Sequence, residues 1–124
     1  MAAINEGQYP GEFLLAELPG TISRDTVTVT VAAATTLSPG TVLGQITADE
    51  KYVPYDDAES DGREDAAGVL YGELVNDGLA EADMTGVIIN RDAEVRSADL
   101  VWEVGVDEDR GLADLRALGI KART

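Results

Sequence analysis

The chain has no cysteine and no histidine in its 124 residues, a single Trp and a single Phe, and only nine Lys and Arg against 24 Asp and Glu. Each shortage excludes something. Without Cys there is no disulfide framework, thiolate nucleophile, thiolate metal site or redox motif. Without His, the ordinary general base and the commonest metal ligand are both missing. Ser-His-Asp and Cys-His arrangements therefore cannot be assembled, and catalysis is confined to carboxylate, Lys or Tyr chemistry. The formal charge of −15 forfeits the counterion release that drives phosphate-backbone binding and repels anionic membrane surfaces. Neither nucleic acid nor membrane is an expected partner. Residues 1–6 show no basic start or apolar run, and the longest uncharged stretch, 26–48, is studded with Thr and broken by Pro39-Gly40. No signal peptide or membrane span is expected, and synthesis in the cytoplasm is.

What is present suffices for one domain. Hydrophobic residues make up 44% of the chain, and a chain of this size buries roughly two-thirds of the surface its unfolded form exposes. Residues 1–25 read as an extended N-terminal arm and 26–124 as a single β-rich domain. In the arm, Pro10-Gly11 and Pro19-Gly20 leave no room for a long helix, and the only apolar cluster is Phe13-Leu14-Leu15. That cluster has two open readings: it folds back onto the domain, or it docks on a partner.

The clearest local signal is Thr26-Val27-Thr28-Val29-Thr30-Val31, whose strict alternation of β-branched residues gives a strand with one apolar and one polar face. An exposed edge there would let another chain add a strand through main-chain hydrogen bonds. Further short strands are expected at 42–46, 51–55, 67–71 and 86–89, the last continuing through Ala93 and Val95, with acidic 56–65 and polar 76–83 as loops. The period then changes. Asp107 is a good N-cap, Leu112, Leu115 and Leu118 recur at helical spacing, and Gly119-Ile120 makes a Schellman-type stop. Gly111 costs that helix roughly 1 kcal/mol relative to Ala.

Other constellations carry little. The acidic loop opens like a calcium-binding EF-hand loop at Asp57, but the position that needs a bidentate Glu holds Gly68, and its flanks read as strands. A solvated hairpin loop is the expected form. Glu103, Asp107, Glu108 and Asp109 suggest paired-carboxylate chemistry only because acids are everywhere, and the Asp107 group is explained by the positive end of a helix. No glycine pattern makes a phosphate cradle. Trp102 reads as a core or interface anchor rather than a ligand platform. A small binding module with an acidic ligand or metal site, and a carboxylate hydrolase, are the alternatives of other classes.

Several blocks in order carry a resemblance: Gly11-Glu12-Phe13-Leu14-Leu15, Ser23-Arg24-Asp25-Thr26-Val27-Thr28-Val29, Leu37-Ser38-Pro39-Gly40-Thr41-Val42-Leu43-Gly44 and Lys51-Tyr52-Val53-Pro54-Tyr55-Asp56. Ala66-Ala67-Gly68-Val69-Leu70-Tyr71, Arg91-Asp92-Ala93-Glu94-Val95, Leu100-Val101-Trp102 and Leu115-Arg116-Ala117-Leu118-Gly119-Ile120 follow. From residue 11 onward the chain resembles the head decoration proteins of tailed bacteriophages, the lambda protein D family. It departs at Glu103, where relatives often carry Pro after the Trp.

The resemblance implies a β-clip-like, mainly antiparallel fold with a small helical component. It implies no enzymatic activity and no cofactor. The expected protein is a homotrimer on the outer surface of the virion capsid, at threefold sites, added after expansion and bracing the head against packaged DNA. Its partners would be itself and the phage major capsid protein. Phe13, Leu14 and Leu15 would be apolar anchors on the shell, Arg24, Thr26, Val27, Thr28 and Val29 would supply main-chain pairing, and Trp102 would anchor the core or the trimer. The few Arg and Lys are expected near subunit or shell contacts, with acids facing outward.

Overall fold

A computed structural model describes residues 13–17 and 23–124. The two Pro-Gly turn signals of the arm lie outside the described residues. The alternating segment forms β2 (Arg24–Val31), which pairs antiparallel with β8 (Ala82–Ile89) from Arg24 opposite Ile89 to Val31 opposite Ala82. Val29 and Val31 are fully buried, whereas Thr26 and Thr28 are exposed. With β4 (Val42–Gln45), β5 (Tyr52–Pro54) and β6 (Ala66–Leu70), these strands close a barrel in the order β2-β5-β4-β6-β8. Closure rests on one parallel pairing, Val29 with Tyr52.

Two smaller sheets flank the barrel. One is the ribbon of β3 (Thr35–Leu37) and β7 (Leu74–Asn76). The other has the order β1-β9-β10, made of β1 (Leu14–Glu17), β9 (Ala93–Arg96) and β10 (Ile120–Arg123). Between β9 and β10 lie a 3₁₀ turn (Ser97–Asp99) and α1 (Glu108–Ala117).

There are two cores, and three barrel strands serve both. Val29, Val31, Leu43, Leu70, Leu74 and Ile88 fill the barrel, while Phe13, Val42, Tyr55, Val69, Ile89, Val95, Leu115 and Ile120 pack outside it, under the helix and the flanking sheet. Successive strand residues point to opposite faces. Hence Val42-Leu43, Val69-Leu70 and Ile88-Ile89 each send one side chain to each core, which is why those strands read as continuous apolar runs.

Three expectations from the sequence are corrected by the pairing. The 86–89 strand begins earlier, at Ala82, because β2 supplies a partner along its whole length. Ala93 and Val95 do not prolong it: the chain turns at Asp92, whose φ is 49°, and starts β9 in another sheet. Residues 56–65 do not form a hairpin loop, because β5 and β6 pair with opposite edges of β4 and the loop must cross it. The Gly44 backbone lets that crossing come close, since a Cβ there would lie 2.5 Å from Arg63 Cα. Pairing is mainly antiparallel, with two parallel exceptions: β2 with β5, and β10 with β9, to which the crossover through α1 returns it.

The helix ends agree with the sequence. Arg110 N donates to the Asp107 side chain at 3.1 Å. Gly119 N donates to Arg116 O at 3.0 Å, and Gly119 takes φ 84°, a left-handed turn that favours glycine. Leu115 is fully buried, whereas Leu118 at the C-cap is 37% exposed.

Candidate docking surface

The apolar cluster of the arm divides. β1 is an edge strand, with Leu14 opposite Val95 and Ala16 opposite Glu94 across a bulge, and Arg96 N donates to Phe13 O at 2.8 Å. Phe13 is fully buried with Val95, Leu115 and Ile120, and Leu14 is half-buried against them. Leu15 points outward, 43% exposed. The structure thus removes Phe13 from the docking set: β9 and α1 give it an intrachain slot, and burying such a ring is worth about 2–3 kcal/mol. The fold-back reading holds for Phe13 and Leu14, and only Leu15 stays available as a surface anchor.

The β2 residues divide by face as well. The Arg24 guanidinium sits 4.0 Å over the Tyr71 ring. Beside it, Arg91 Nη1 donates to Asp25 Oδ2 at 3.1 Å and Asn90 Nδ2 donates to the same oxygen. Those two donors, Arg91 foremost, hold the Asp25 carboxyl below the usual carboxylate range. Val27 and Val29 point into the barrel, so their side chains are not docking groups. Val29 is also paired on both flanks, to Met84 and to Tyr52. By contrast, among the described residues Thr26, Val27 and Thr28 have a strand partner on one flank only, β8.

The start of β2 is fixed to the flanking sheet by Ser23, fully buried, whose hydroxyl donates to Asp92 O at 2.9 Å. Trp102 is half-buried and meets Tyr55 edge to face, at 5.8 Å and 75°. Burial is the main cause that pushes the Tyr55 phenol up to about 12, and its hydroxyl donates to Asp107 O at 2.9 Å. Trp102, Tyr55 and the helix start are thereby one packed unit.

Several acids of 56–65 are engaged within the chain. Asp57 accepts from Asp107 N at 2.8 Å, Glu64 from Gly62 N at 2.7 Å, and Asp61 pairs with Arg63 at 2.9 Å. Among the described residues, no three acidic side chains are placed to hold a metal ion. An open depression of about 450 Å³ includes Lys51, Asp61, Arg63, Glu81 and Asp83, with Lys51 and Asp83 paired across it at 2.6 Å.

One surface passed over in the sequence reading is the outer face of β9 and β10. Ala93, Val95 and Ile120 are buried beneath it, while Arg96, Lys121 and Arg123 are exposed and Glu94 half-buried on the other side. The signal was there: the ten residues after Asp114 contain three bases and no acid.

These features define a class first: a small β-barrel domain with a flanking sheet that carries exposed edges and outward cations. The chain belongs to the family of bacteriophage lambda head decoration protein D, whose family model matches residues 3–121. It is thus a phage head decoration protein, associated with the virion capsid, in a structural rather than enzymatic family. No curated protein gives a significant match.

Proposed function

We propose that this protein binds as a homotrimer to the outside of the expanded phage head, at threefold sites, and braces the major capsid protein shell against the pressure of packaged DNA. The observation that carries the reading is the one-sided pairing of β2. Thr26, Val27 and Thr28 keep one flank without a described strand, and such an edge can accept a strand from the shell through main-chain hydrogen bonds. Three copies in one trimer engage together, so modest contacts multiply into tight attachment. The acidic surface keeps a densely displayed coat solvated.

Residues 1–12 would extend the contact onto the shell, and Leu15 would be its nearest apolar anchor. Deletion of residues 2–11 keeps Phe13 and β1 in the chain, so it tests docking without removing that core residue. The truncated chain should stay trimeric by light scattering, keep its melting temperature, and bind expanded heads at least about tenfold more weakly, a loss of about 1.4 kcal/mol. Undiminished binding would overturn the role of the arm. A monomer both in solution and in electron cryomicroscopy maps of the decorated head would overturn the trimer.

A further inference from the structure

Charge is segregated in this chain. The three strands of the β1-β9-β10 sheet hold three bases, Arg96, Lys121 and Arg123, against two acids, Glu17 and Glu94, whereas the rest of the chain holds six bases against 22 acids. The register brings the cations together, since Arg123 lies beside Arg96 and Lys121 beside Glu94 on parallel strands. Arg123 Nε donates to Glu94 Oε1 at 2.8 Å and Arg96 reaches Asp99 at 3.4 Å. Both guanidinium side chains stay about half exposed, at 49% and 53%, and such pairs are worth little in water. On the edge strand β1 of the same sheet, Leu15 and Ala16 are exposed.

We propose that the outer face of this sheet is turned toward the shell, and that the patch it meets there carries carboxylates. This rests on the decoration reading above and adds to it the orientation and chemistry of the contact. Three observations converge. The face inverts the sign of a chain whose net charge is −15, so it is the face that an acidic surface attracts while the barrel is repelled, and such a charge dipole orients a molecule during encounter. An apolar residue beside charged neighbours has the make-up of a docking patch. And β1 lies within the arm, so the sheet is continuous with the segment proposed above to contact the shell. The bland reading is that Lys121 and Arg123 only blunt an edge strand against aggregation. Acids would do that equally well, which makes charge reversal decisive.

The full-length chain carrying Lys121→Glu and Arg123→Glu is compared with wild type in co-sedimentation with expanded heads, over a range of NaCl concentrations. Lys51→Glu, on the barrel, serves as a control. Wild-type affinity should fall as salt rises. The double reversal should lose at least about thirtyfold at low salt and show a flatter salt dependence, and Lys51→Glu should stay within about twofold. Lys121→Glu alone, at an exposed site, should lose about fivefold and covers the case in which the double variant misfolds. A folded variant that binds like wild type overturns the proposal, as does loss of trimerisation, which would make the face a subunit interface. Failure of wild type itself to bind heads would instead overturn the decoration reading.

Discussion

The indole of Trp102 occupies the space that a side chain on Gly111 would need: a Cβ there would lie 2.5 Å from Trp102 Cζ3 and 3.1 Å from Tyr55 Cε2. The glycine that weakens the first half of α1 is the one that lets the Trp-Tyr pair lie against the helix. Gly111→Ala therefore sets a helix gain of about 1 kcal/mol against overpacking of about 1–3 kcal/mol. We expect net destabilisation, with a lower melting temperature and altered Trp fluorescence. A raised melting temperature would show that the indole moves aside freely.

Phe13→Ala distinguishes core from docking residue. With the ring fully buried, truncation should cost about 3–5 kcal/mol in denaturant unfolding. Leu15→Ala, at a 43% exposed position, should leave stability nearly unchanged. Equal stability of the two variants would return Phe13 to the surface.

Tyr55 gives the fold an alkaline limit. Burial holds its phenol neutral in the folded state, its pKa pushed up to about 12 from the ordinary 10.0. A raised pKa contributes stability that is complete below the unfolded value and is lost as pH climbs through the folded one. Melting temperature should accordingly fall between pH 10 and 12. Tyr55→Phe should make that fall shallower while losing about 1 kcal/mol at neutral pH, with the hydrogen bond to Asp107. Tyr52, also raised by burial, should retain part of the slope.

Asp25 acts at the opposite end of the scale. Its lowered pKa contributes stability that is present above 3.8 and lost as pH falls through the folded value. Asp25→Asn should flatten the dependence of melting temperature on pH below about 4. An unchanged acid limb would mean that the Arg91 and Asn90 contacts do not persist in solution.

Asn76 is a buried polar hub, donating to Val31 O at 3.0 Å, Ala32 O at 3.1 Å and Ala80 O at 3.0 Å. Asn76→Leu leaves these carbonyls with fewer donors and should cost about 2–3 kcal/mol, read as a lower denaturant midpoint.

Much of this was legible from neighbours along the chain. The Thr-Val alternation of β2, the Asp107 cap and the Gly119 stop depend on residues within a few positions of one another, and all three stand in the structure. β3, β7 and β10 escaped because strands of three or four residues carry too little pattern to outweigh their flanks.

What local pattern could not reach was decided by pairings between distant segments. The Ser23 hydroxyl finds Asp92, 69 positions away, and that closure helps bring the arm, β9 and the C-terminal strand together. Phe13 is a core residue because β9 and α1 arrive to cover it. Val42 and Leu43, alike in sequence, serve different cores because a barrel strand has two buried faces. Composition alone establishes that the chain is acidic. That three of its nine cations share one sheet face follows only from the parallel return of β10 beside β9, since register along a ladder depends on the whole crossover and on no single stretch of sequence.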